Sequence, residues 1–203
     1  MQTLWNRTSP LPAYPRLEEN LHSDVAVVGG GMAGILTAYA LHARGLRVVL
    51  LEGDRLASGV TAHTTAKLSA QHGMFCERLL RNFGLHLARL YMRANLDAVE
   101  QFRALVREKN IDCDLCDEDA YLYAAPNGPN LAREYECALL LGAPARLTRP
   151  EGLPFPVREA VCFERQARFS PLRFLAALLP GLTIYERSPV RDIRGHAVRC
   201  DGG

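Results

Sequence analysis

The chain has 203 residues, a formal net charge of +2, and 48% hydrophobic against 23% charged residues. That length allows one or two domains with a sizeable core, and the near-neutral charge gives no field that would draw the chain to nucleic acid or to a membrane surface. No apolar run reaches the roughly 18 residues of a membrane span, and the six cysteines do not suggest a disulfide framework in a chain expected to be cytoplasmic.

Residues 1–23 carry Trp5, Pro10, Pro12 and Pro15 among scattered charges. They lack the apolar centre of a signal peptide and read as an extended arm leading into the first strand. Val25–Val28 is a short apolar run, the pattern of a strand buried on both faces. Gly29, Gly31 and Gly34 then fit G-x-G-x-x-G, with Met32 and Ala33 inside the motif and a helix starting at once. Gly29 permits the turn out of the strand, Gly31 lets a pyrophosphate approach the backbone, and Gly34 lets the helix lie close to the strand. The free N–H groups and the positive dipole end of that helix face the phosphates.

The helix predicted over 32–43 stops at Arg44-Gly45, and a second apolar strand, Arg47–Leu51, delivers Glu52. Glu52 stands at about the 20-residue spacing at which an acid accepts hydrogen bonds from a ribose. An ordinary βαβ unit without a ligand is the alternative. Gly53, Arg55, Ser58, Gly59, Thr61, His63, Thr64, Thr65 and Lys67 follow. This small, hydroxyl-rich segment would lie along the same ligand, with Thr61 or Ser58 as the N-cap of a helix. If helical, it would place His63 and Lys67 on one face.

Further on, apolar residues recur at helical spacing from Leu85 to Lys109, with Asn110 as the stop. Ile111–Leu115 and Ala120–Ala124 read as an antiparallel pair joined by an acidic turn at Asp117–Asp119. On a strand Cys113 and Cys116 point to opposite faces, so Cys113-x-x-Cys116 is not expected to chelate a metal. A helix is predicted over Leu131–Leu141, then a proline-rich connector, a strand at Ala160–Phe163, and a helix begun by Ser170 as N-cap with Pro171 at its first position. Leu182–Glu186 reads as a strand. Val190–Ile193 and Ala197–Arg199 read as a hairpin, after which an edge strand would be left without a partner.

The glycine motif with Glu52, the Gly59–Lys67 segment and Phe169-Ser170-Pro171 together resemble FAD-dependent oxidoreductases of the D-amino-acid oxidase, glycine oxidase and sarcosine oxidase superfamily. The arm with Leu4-Trp5 and Leu11-Pro12, together with Thr61–Lys67 and Gln71-His72-Gly73, is similar to a bacterial branch that often carries a C-terminal Rieske domain. The resemblance implies an α/β fold, a Rossmann-like FAD-binding parallel sheet (24–70 and 180–203, with 1–23 as the arm) interrupted by a partial α+β substrate domain (71–179). It implies FAD on Gly29, Gly31, Gly34 and Glu52, adenine held by backbone contacts at Val190, and His63 or Lys67 near the flavin. The flavin would take a hydride from an amine- or hydroxyl-bearing carbon of a small molecule. Family members are about twice as long, so an incomplete fold is expected, with a missing C-terminal half or an electron-transfer partner. The remaining readings are an inactive remnant or interaction module and an NAD-dependent dehydrogenase.

Overall fold

The computed structural model describes residues 3–201. In chain order the elements are α1 (Leu4–Thr8), β1 (Val25–Val28), α2 (Met32–His42), β2 (Val48–Leu51), a 3-10 turn (Val60–His63), β3 (Lys67–Leu68), α3 (Cys76–Glu108), β4 (Cys116–Ala124), α4 (Ala132–Leu140), β5 (Ala145–Thr148), β6 (Glu159–Arg168), α5 (Pro171–Leu178), β7 (Thr183–Tyr185), β8 (Val190–Arg194) and β9 (Ala197–Cys200). They form two compact units. The first holds the residues up to Thr65, Ile111–Cys113 and the residues from Ser170 onward; the second holds Ala66–Asn110 and Asp114–Phe169.

The first unit is built on a three-stranded parallel sheet in the order β1-β2-β7. β2 is the central strand, and all four of its residues are buried. One face is covered by α2, whose Ile35 and Ala38 are fully buried, and α5 packs on α2. The other face carries the β8–β9 hairpin, which packs Val190, Val198 and Cys200 with Leu17 against Ala26, Val49 and Leu51. β1 departs from the expected strand buried on both faces. It is an edge strand, and Val28 is 51% exposed. Two parallel strands on one side of β1 leave its far edge without a strand partner among the described residues.

α5 buries Leu172, Phe174, Leu175 and Leu178 in this unit, so the unit boundary falls before Ser170 and not near residue 179. Ser170 is the N-cap and Pro171 the first helical residue, as expected. The arm is not extended throughout. Residues 4–8 form α1, capped by Thr3 Oγ1, which accepts from Asn6 N at 3.2 Å.

In the second unit, β6 is the central strand of an antiparallel sheet, with β4 on one side and β5 and β3 on the other. α3 and α4 bury Ala88, Met92, Cys137 and Ala138 against Val161 and Phe163. The expected pair of strands around an acidic turn is replaced by one strand, β4, that contains Asp117–Asp119. Asn110 and Asp114 take left-handed φ values of 49° and 51°, so the alternating run from Ile111 is broken before it can pair. Each acid of the strand meets an arginine: Asp117 with Arg103 at 2.8 Å, Glu118 with Arg168 at 3.2 Å and Asp119 with Arg146 at 3.4 Å. β5 lies inside what reads in sequence as a proline-rich connector, and Gly84 (φ 70°) breaks α3 ahead of the helix expected from Leu85.

Candidate cofactor site

The C-terminal ends of β1, β2 and β7 lie side by side, which is where open α/β sheets bind their ligands. Gly29 leaves β1 with φ +102°, a left-handed turn that an L-residue rarely adopts, while its N–H still donates to Leu51 O at 2.8 Å. A Cβ on Gly34 would overlap the carbonyl oxygen of Gly29, so only glycine lets α2 lie this close to the strand. Gly31 is the N-cap of α2, and no side chain of its own caps the helix. Thr61 Oγ1 supplies a substitute, accepting from Met32 N at 3.1 Å.

The Glu52 carboxylate turns back to the glycine motif. Oε2 accepts from Gly30 N at 2.6 Å, and Oε1 accepts from Asp54 N at 2.8 Å. Glu52 is half-buried, so its remaining lone pairs can reach a hydroxyl. Gly30 plays a part that the sequence reading passed over. It is buried, and a Cβ there would collide with Leu56 Cδ2 and lie 3.1 Å from Glu52.

The other expected site residues sort by unit. Gly53 is exposed beside Pro189, and Gly59 is the N-cap of the 3-10 turn, with its carbonyl oxygen 2.9 Å from His63 Nδ1. Neither Thr61 nor Ser58 caps that turn, because Thr61 serves α2 and Ser58 Oγ faces Asp54 at 3.4 Å. Thr64 O accepts from Trp5 Nε1 at 2.9 Å, Thr65 is exposed, and Val190 opens β8. Ala33 and Met32 form the first turn of α2. The helical face expected to join His63 and Lys67 does not form. The 3-10 turn ends at His63, Ala66 has φ 60°, and Lys67 belongs to β3 of the second unit. Cys113 is buried and Cys116 half-buried. No cluster of three or more His, Cys, Asp or Glu suited to a metal occurs among the described residues.

Arg55 lies 3.2 Å from Glu186, which the sequence places at the end of a strand without marking it as a site residue. Glu186 is fully buried and accepts from Leu56 N at 2.7 Å and Tyr14 N at 3.1 Å. It had a legible signal. Like Glu52, it stands directly after an apolar strand, and Leu51 and Tyr185 are register partners on neighbouring parallel strands. The same neighbourhood pushes the Tyr14 hydroxyl pKa up, first through burial and then through the Glu186 charge.

The parallel sheet, the glycine turn and the acid at the end of β2 define a Rossmann-like α/β fold. The chain belongs to the family described as FAD dependent oxidoreductase (DAO), which matches residues 24–203, and FAD is that family's cofactor. It is 40% identical over 200 residues to YhfW of Bacillus subtilis (strain 168), a protein named for a Rieske 2Fe-2S iron-sulfur centre. That alignment takes in 95% of this chain and 39% of YhfW. Gamma-glutamylputrescine oxidoreductase of Escherichia coli (strain K12) is 29% identical over 119 residues, or 59% of this chain and 28% of that protein. Among solved structures, glycine oxidase from Geobacillus kaustophilus matches with a TM-score of 0.65 and 25% identity, over 89% of this chain and 52% of that one. The chain thus spans about half the length, or less, of these relatives. No helix among the described residues is long and apolar enough to cross a membrane.

Proposed function

We propose that this chain is the FAD-holding part of an oxidoreductase that oxidises a small molecule at a carbon bearing an amine or hydroxyl group. The observation that carries the reading is the position of Glu52, whose carboxylate lies 2.6 Å from Gly30 N inside the glycine motif. The residues suit the cofactor. The first-turn N–H groups of α2 after Met32, whose own N–H goes to Thr61 Oγ1, and the Thr61 hydroxyl hydrogen are a donor set for a diphosphate, beside a turn closed to any side chain at Gly34. Glu52 is an acceptor for a ribose hydroxyl, and Val190 offers its backbone to the base. When bound, the flavin supplies the hydride-accepting chemistry, and the protein contributes binding, orientation and electrostatics.

An amine substrate is favoured over an alcohol by the names of two relatives, gamma-glutamylputrescine oxidoreductase and glycine oxidase. The name of YhfW supports passage of the electrons to an iron–sulfur centre on a longer chain or a partner. His63 is exposed and is proposed to stand toward the flavin, where it would favour negative charge on the reduced ring.

Titration of the purified chain with FAD, followed by flavin absorbance and fluorescence, tests the reading. Binding is expected to be saturable, displaced by ADP and insensitive to NAD. Glu52→Gln, which keeps the side-chain shape but loses the charge, is expected to weaken it about tenfold, the worth of a hydrogen bond to a charged group. Equal affinity in the two proteins would contradict the role given to Glu52.

A further inference from the structure

The family match begins at residue 24, which leaves the arm outside it. The arm is nonetheless bonded into the first unit at two places. At one, Trp5 Nε1 donates to the Thr64 carbonyl at 2.9 Å, and α1 rests against the 3-10 turn and α5. At the other, Tyr14 N donates to Glu186 Oε2 at 3.1 Å, Leu17 N donates to Ser188 Oγ at 2.9 Å, and Pro15 O accepts from Glu186 N at 2.9 Å.

The groups that receive the arm also hold the turn after β2. The buried Glu186 carboxylate takes Leu56 N and pairs with Arg55, Ser188 N donates to Glu52 O at 2.8 Å, and Arg187 N donates to Asp54 O at 2.9 Å. The segment from Glu52 to Thr64 is therefore tied to the arm directly at its Thr64 end and, at its Glu52 end, through Glu186 and Ser188, and this is the segment that the proposed function lays along the cofactor.

We propose that the arm is part of the FAD site, with Trp5 as a positioning residue that fixes the Thr64 end and the Tyr14–Leu17 stretch fixing the Glu52 end through Glu186 and Ser188. The inference rests on the cofactor reading above and extends it to residues that the family pattern lacks. Its physical content is preorganisation. A segment already held in its binding geometry loses less conformational entropy when the ligand arrives. Linkage then requires the converse, that a bound nucleotide steadies the arm.

Trp5 is the sole tryptophan of the chain, so its emission reports on the arm alone. Trp5→Phe keeps an aromatic side chain and removes the N–H donor together with one of the two fused rings. It is expected to weaken FAD binding about fivefold, the value of one neutral hydrogen bond. In the same variant without ligand, amide hydrogen exchange is expected to quicken across residues 56–64 and to stay unchanged in β4 and β6. A second measurement needs only the wild-type chain. ADP does not absorb tryptophan emission, and at a concentration that displaces FAD it is expected to reduce acrylamide quenching of Trp5. A wild-type chain that binds FAD, with a Trp5→Phe variant that binds it equally well, overturns the inference and leaves the cofactor reading intact. Trp5 quenching indifferent to ADP also overturns it. A wild-type chain that takes up no FAD overturns the cofactor reading and this inference with it.

Discussion

Glu52 and Glu186 are the same residue type at the ends of neighbouring parallel strands, yet they do different work. Glu52 is half-buried and satisfies two N–H groups with acceptor capacity left over, whereas Glu186 is fully buried and spent on Leu56, Tyr14 and Arg55. Glu186→Ala leaves Arg55, the buried Leu56 N–H and the half-buried Tyr14 N–H without their partner and is expected to destabilise the first unit by about 3 kcal/mol, measured by urea unfolding. Glu52 was legible in the sequence because the fingerprint fixes its distance from the glycines. Glu186 shares the strand-end position that made Glu52 legible, but its role was hidden, because its partners Tyr14 and Leu56 lie 172 and 130 residues away. Asp24 carries a pH dependence. Hydrogen bonds from Arg47, first from its side chain and then from its backbone N–H, hold the Asp24 carboxyl below its usual pKa. A carboxylate lowered on folding stabilises above its unfolded pKa, and that contribution is lost as pH falls through the folded value. Asp24→Asn is therefore expected to lower the melting temperature at neutral pH, with the gap from wild type closing in acid.

At the scale of elements, the βαβ unit was readable because each part has a local cause: an apolar run, glycines where no side chain fits, and a glycine stop with φ +83° at Gly45. Gly34→Ala tests the closest approach. Its methyl would meet the backbone of Gly29, which cannot swing aside, so a loss of about 2–3 kcal/mol is expected in urea unfolding, together with loss of FAD uptake. The second unit was less legible. Alternation at Ile111–Leu115 imitated a strand, and only the left-handed Asn110 and Asp114, residue types that tolerate that conformation, interrupt it. Asp117–Asp119 imitated a turn because three acids in a strand need three arginines, and those come from α3, β5 and β6.

At the scale of the whole molecule, the first unit carries a parallel sheet whose β1 edge has no strand partner among the described residues. A groove of about 520 Å³ lies between the arm and the β8–β9 hairpin, over Ala26, Val49 and Leu51, and Val28 is exposed on the neighbouring edge strand. Parallel strands are ordinarily buried on both faces, and an unpaired edge is a surface for association. Val28→Asp is accordingly expected to reduce concentration-dependent self-association in analytical ultracentrifugation without changing FAD affinity. The expectation of an incomplete sheet came from strand order and length together, and it agrees with relatives about twice as long. The most direct test is residue-resolved. In a ¹⁵N-labelled chain, FAD is predicted to shift the amide resonances of Gly30, Gly31, Met32 and Glu52 while leaving those of β4 and β6 in place. Saturable FAD binding that leaves the four amides unmoved would contradict the account.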